Sequence, residues 1–347
     1  KGDGGTALPR YYPTTESGAP AEPSQKDGSG AEFLDAFVYG NWSISDKPLN
    51  VRLGQQVVNW GEGVLFANGI NTINPIDVNA LLSPGAEVKE ALIPVKMLYG
   101  SLGISEGLSV EAFYQFQWKK TIVPDCGSFF STIDVVGEHC PGGYYAFSLE
   151  PGTQLQALNG LLKRPADNFN TQYADDSEPD NGGEYGLAMR YYIDSIQAEV
   201  GAYYINYHSR LPILSGYAPS AAAMASTALY IDAIGQRLTT AAISLEYPED
   251  IHLFGVSFNT SVDIGLPGGE SAISGELSLR KNQPFQVEDS VLLSGLIGAP
   301  SQICQRPGNE LGLCYDNYSA GEFISGGIRD DFYQAEVSFI HFFDQIL

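Results

Sequence analysis

One pattern constrains this chain more than any other: short segments of alternating character joined by connections of two very different lengths. In LSVEAFYQFQW, residues 108–118, Leu108, Val110, Ala112, Tyr114, Phe116 and Trp118 fall on one strand face, and Ser109, Glu111, Phe113, Gln115 and Gln117 on the other, because side chains alternate across a strand. Such a strand separates an apolar medium from a polar one. The same grammar recurs at 33–44, 49–58, 95–104, 184–193, 196–207, 241–247, 251–262, 271–280 and 332–343. It predicts roughly ten to twelve strands.

The connections sort into two sets. SDKP, SEG, DS and PED are tight turns, whereas residues 61–94, 119–183, 208–238 and 282–331 are long insertions. Insertions of that length are unusual in compact soluble domains. Short turns at one end and long loops at the other are the layout of an outer-membrane barrel. The expectation is a single all-β domain over 1–347: an antiparallel transmembrane β-barrel of the outer-membrane type, with long loops containing short helices. Its apolar medium is then lipid. Tyr114, Phe116 and Trp118, with Tyr204 and Tyr207, would form an aromatic girdle at the long-loop end. A large β-sandwich uses the same period and is the alternative. Residues 1–31 read as a Gly/Pro/Ser-rich arm. KGDGG reads as mid-loop and HFFDQIL as a strand cut short, so the barrel is expected to be incomplete at both ends.

Charge narrows the partners. The 347 residues carry 18 Lys plus Arg against 41 Asp plus Glu, a net charge of −23. Nucleic acid is excluded as a partner, since phosphate binding rests on Lys and Arg. No apolar run reaches the roughly 18 residues of a transmembrane helix, which leaves a barrel open. Cys126 and Cys140, and Cys304 and Cys314, form two local pairs in loop-like contexts. Three pairings are open; proximity favours 126–140 and 304–314 as disulfides in an oxidising compartment.

Chemistry-bearing motifs are scarce. Four His stand in no H-E-x-x-H pattern, and no G-x-S-x-G elbow exists, so an enzyme is not expected, nor is a cofactor. The acidic run YADDSEPDNGGE (173–184) fails the EF-hand template, with Asn181 where Gly is required and Leu187 where the last carboxylate belongs. A solvated acidic loop is the simpler reading, and no metal site is expected. The WGEG segment is sharper. Its glycines relax the backbone, Asp77 stands as N-cap of a short helix VNALL, and Glu87, Lys89 and Glu90 follow. Residues 61–94 are therefore expected to fold inward and line or constrict the lumen. The lumen and constriction candidates are Arg52, Gln56, Glu62, Asp77, Glu87, Lys89, Glu111, Gln115, Arg190, Glu276 and Arg280. The other long loops carry apolar helical patterns. Leu155, Leu158, Leu162, Leu229, Ile234, Leu292 and Leu293 are candidates for capturing a hydrophobic solute.

The stretch RLGQQVVNWGEGVLFANGINTINPIDVNALLSPGAEVKEALIP, with SLEYPEDIHLFGVSFNT and the LSVEAFYQFQW strand, resembles the DUF1302 family of Gram-negative outer-membrane proteins. The resemblance implies a transmembrane β-barrel in the outer membrane, in contact with its lipid. It also implies work beside a periplasmic LolB-like protein and an RND-type transporter, and passage of hydrophobic or amphipathic small molecules across the envelope. It carries no catalytic residues. A general porin for polar solutes and a surface structural or adhesion protein are the alternatives.

Overall fold

The computed structural model describes residues 34–63, 69–85, 88–124, 172–226, 236–237, 239–287 and 318–343, with single residues 130 and 292. Nine antiparallel strands make the main sheet. They are β1 (Ala36–Ile44), β2 (Lys47–Gln56), β3 (Val95–Ser105), β4 (Leu108–Gln115), β6 (Tyr185–Ile193), β7 (Ala198–Tyr207), β10 (Ile251–Val262), β11 (Ser271–Gln286) and β13 (Gly327–His341). They pair in that order, each beside its predecessor within the sheet. Among the described residues no pairing joins β1 to β13, so the sheet is open as described. A second sheet of short strands has the order β12 (Phe323–Ile324), β8 (Ile213–Tyr217), β9 (Ala242–Glu246), β5 (Gln172–Tyr173).

The tight connections β1–β2, β3–β4, β6–β7 and β10–β11 lie at one end of the main sheet, and the long ones at the other. Positive φ at Ser45 (51°) and Asp46 (64°) gives the left-handed backbone of a primed two-residue hairpin turn, where a small polar residue is tolerated. One expected hairpin is absent. The PED turn does not join two strands of the main sheet: β9 lies in the small sheet, while β10 pairs with β7 and β11. Tyr247 N–H instead donates to Ser177 O at 2.9 Å and carries the chain from one sheet to the other.

Register puts one set of side chains on each face of the main sheet. One continuous row reads Trp42, Leu49, Leu102, Val110, Met189, Ala202, Val256, Leu277, Ala335, strand by strand. Of these, Trp42, Met189, Val256 and Leu277 are exposed; one strand position further, Val337 reaches 72 % exposure. Aromatics gather at the long-loop end of this face, where Tyr185 meets Tyr204 (ring centroids 6.1 Å) and Tyr204 meets Phe254 (5.1 Å). The opposite face holds the buried polar residues Ser257, Glu276, Ser278, Arg280, Glu336 and Ser338. The sheet is inside-out relative to a water-soluble protein, in which buried charged residues are rare and large apolar patches are covered.

Two apolar clusters lie at the long-loop end. The first joins the sheet's polar-side face to the β2–β3 connection through Trp60, Ile70, Ile73, Met97, Phe113, Ile205 and Leu253. The second packs the small sheet, with Leu214, Ile243, Leu245, Tyr247 and Trp118. Trp118 is thus a correction. It is buried against Tyr247 (centroids 5.0 Å, edge-on) rather than standing in an outer girdle. The strand ends at Gln115, so the period that placed Trp118 has already lapsed. Tyr114 and Phe116 are exposed, whereas Tyr207 is buried in the first cluster. Among the described residues no helix is long and apolar enough to cross a membrane.

Candidate functional site: the polar face and the segment laid on it

The polar face meets the β2–β3 connection. Its first part, residues 57–63, crosses the face. Trp60 is fully buried, its indole N–H donates to Glu111 Oε2 at 2.7 Å, and its ring packs on Phe113 (5.1 Å) and Tyr203 (6.0 Å). Two residues on, the backbone reaches β11. The Glu62 and Gly63 N–H groups both donate to Glu276 Oε2 at 2.9 Å, and Ile70 N–H donates to Oε1 at 2.8 Å. One carboxylate thus accepts from three amides of a single excursion, each a charge-assisted bond stronger than a neutral one. Gly69 belongs here for a steric reason: a Cβ at that position would lie 2.0 Å from Glu276 Oε1. Arg280 completes the hold by donating to Gly69 O at 2.6 Å.

The return path is fixed from the other side. Asn74 is buried; its Nδ2 donates to Gln56 O and Ile93 O, and its Oδ1 accepts from Val58 N–H. Asp77 caps helix α1 (Val78–Leu82), accepting from Asn79 and Ala80 N–H, as the N-cap reading expects. The second helix, α2 (Val88–Ala91), is followed by a bond from Ile93 N–H to Pro75 O.

Arg210 clamps the segment to the long-loop end. Fully buried, it donates to Ile73 O (2.7 Å), Gln115 Oε1 (2.9 Å), Glu184 Oε1 (2.9 Å), Lys119 O (3.0 Å) and Thr72 O (3.4 Å). Burial pushes the Glu184 carboxyl above the usual carboxylate range, with Arg210 pulling the other way. A buried charge of this kind is tolerated because each of its three nitrogens is hydrogen-bonded and a carboxylate lies beside it.

Toward the short-turn end the face is ionic. Arg190 pairs with Glu111 at 3.3 Å and Glu199 at 3.1 Å, and Asn259 Nδ2 donates to Glu62 Oε2 at 3.1 Å. The polar side therefore has two zones: an apolar one under the segment at the long-loop end, and a charged one nearer the short turns.

Of the lumen candidates, Glu62, Glu111, Arg190, Glu276 and Arg280 come together around the segment. Gln56 and Gln115 are fully packed, donating to Met97 O (3.2 Å) and Ile73 O (2.8 Å). Arg52 lies apart on the same face between the rings of Phe37 (5.8 Å) and Tyr99 (5.3 Å). Asp77 is occupied in capping, and Lys89 falls in α2. Glu87 lies outside the described residues. Of the capture candidates, Leu292 is buried in the second cluster. Leu155, Leu158, Leu162, Leu229, Ile234 and Leu293 lie outside the described residues, as do Cys126, Cys140, Cys304 and Cys314.

Sequence reading passed over Trp60, Glu199, Arg210 and Glu336, and it placed Glu184 in a solvated acidic loop, whereas Glu184 is fully buried. Glu199 and Glu336 carried a usable signal, each a lone carboxylate at the polar phase of an apolar strand. Arg210, in HSRLP, has no periodic context, and only the fold reveals its partners.

An all-β antiparallel sheet with an uncovered apolar face and a charged face filled by its own chain defines the class. The chain belongs to the DUF1302 family: the family model described as "Protein of unknown function (DUF1302)" matches residues 2–347. No curated protein and no solved structure matches it.

Proposed function

We propose that the protein is an outer-membrane β-barrel channel for hydrophobic or amphipathic small molecules, with residues 57–63 and 69–76 as its constriction. The observation that carries this reading is the inverted main sheet. A continuous row of apolar side chains, each exposed or half-buried, runs across nine strands, and lipid is the medium that matches it, as in barrels with an apolar band and polar interior. The solute class follows from the zoning. Displacing Trp60, Ile70 and Ile73 uncovers Met97, Phe113, Ile205 and Leu253, a wall for an alkyl or ring system, while Glu111 and Arg190 below it suit a polar head. The family resemblance adds a LolB-like periplasmic protein and an RND-type transporter as partners.

The ionic zone favours a second reading, a porin for polar solutes. Uptake of a fluorescent amphiphile and planar-bilayer conductance, compared between the native chain and Glu276→Ala, separates the two. Loosening the segment should raise amphiphile uptake severalfold on the channel reading. A rise in ion conductance with no change in amphiphile uptake gives the porin.

A further inference from the structure

The three amides on Glu276 leave its neighbour unexplained. Glu336 stands directly opposite Glu276 across the β11–β13 ladder, on the same face. It is 7 % exposed, and neither of its carboxylate oxygens has a hydrogen-bond partner. Like charges directly opposite one another destabilise a sheet, and a buried carboxylate without a partner is costlier still. Arg280, the nearest buried cation in sequence, donates to Gly69 O and feels the charge of Glu276 but makes no hydrogen bond to Glu336, and Arg190 is committed to Glu111 and Glu199.

Gly63 shows where the two carboxylates point. A Cβ built there would lie 3.0 Å from Glu276 Oε1 and 3.1 Å from Glu336 Oε2. The two oxygens therefore lie at most about 6 Å apart by those two distances, and Gly63 places no side chain between them. Ser338, two positions along β13 on the same face, is also buried, and its cross-strand partner Ser274 adds a second hydroxyl to the patch. Every donor in this patch is oxygen.

We infer that Glu336 and Glu276 form a binding site for a hard divalent cation, with calcium the closest chemical match. Calcium accepts carboxylate, hydroxyl, carbonyl and water oxygens in flexible numbers at about 2.3–2.6 Å, and needs no nitrogen or sulfur donor. Glu276 has spent three of its roughly four acceptor positions on amides and offers the one that remains. Glu336 offers its whole carboxylate. A cation there links β13 to the carboxylate that already holds Glu62, Gly63 and Ile70, so occupancy tightens that hold. The inference stands apart from the solute, since it needs only the local geometry.

The test is calcium titration of the full chain, purified in detergent and stripped with chelator, followed by calorimetry, with folding checked by heat-modifiable gel mobility. One calcium per chain is expected. Glu336→Gln should weaken binding at least tenfold, and so should Gly63→Ala, which alters no charge and only fills the cradle. Glu178→Gln, in the exposed acidic loop, should leave binding unchanged. Absence of saturable binding, retention of binding in either of the first two variants, or loss of it in Glu178→Gln overturns the assignment. Should Glu336→Gln fail to fold, Gly63→Ala decides alone.

Discussion

The two faces of the main sheet are built from the same strands, residue by residue, yet they are stabilised in opposite ways. On one face the side chains are large, apolar and uncovered; Met189, Val256, Leu277 and Val337 touch little of their own chain. On the other, carboxylates and guanidiniums are buried, and all but Glu336 are tied to the β2–β3 excursion or to a neighbouring strand. The difference teaches where the hydrophobic effect operates. Among the described residues the apolar face finds little cover, while the polar face supplies most of its own partners through a hydrogen-bond network. Substitutions should therefore be costly on the polar face when they remove a partner, and costly on the apolar face only when they add a charge.

The largest effect is expected at Arg210. Arg210→Ala leaves Glu184 buried without its ion-pair partner and frees Gln115 Oε1 and Lys119 O, which should cost about 3–5 kcal/mol. Urea unfolding of the protein reconstituted in lipid measures it; a loss under 1 kcal/mol would mean that the clamp is not structural. Next comes the apolar face. Val256→Arg, mid-strand and exposed, should cost about 2–4 kcal/mol in a bilayer, whereas an exposed residue facing water would accept arginine almost freely. Glu276→Gln should cost about 2 kcal/mol, because an amide group cannot accept from Glu62, Gly63 and Ile70 with both of its ends. The same variant should expose residues 57–63 and 69–76 to protease, with the strands still intact. At the small end, Met189→Leu on the apolar face should fall within about 0.5 kcal/mol, since lipid adapts to shape as a packed core does not.

Much of this contrast was legible in the sequence because period 2 survives translation into three dimensions. LSVEAFYQ and SAISGELSLR place Val110 and Leu277 on one face and Glu111 and Glu276 on the other without knowledge of pairing. What was illegible had definite causes. The Pro-Glu-Asp turn after Tyr247 has hairpin chemistry, yet β9 is claimed by the small sheet through β8 and a two-residue parallel contact with β5, partners too short to announce themselves. Trp118 continues an alternation whose strand has ended. Around WGEG the glycines signalled an unusual backbone, but the destination of its amides, a carboxylate more than 200 residues away in sequence, leaves no local trace. Arg210 is the same problem in reverse, with partners drawn from four separate stretches.

The central claim is that the apolar face meets lipid, and the tryptophans test it without new probes. Trp42 lies on that face and is 57 % exposed, while Trp60 and Trp118 are buried. In vesicles containing lipids brominated along their acyl chains, part of the native fluorescence should be quenched. That quenchable part should vanish in Trp42→Phe, with the emission of Trp60 and Trp118 remaining. Quenching that persists undiminished in Trp42→Phe, or a native protein that stays monomeric in detergent-free buffer with Trp42 quenched by iodide, would contradict the account.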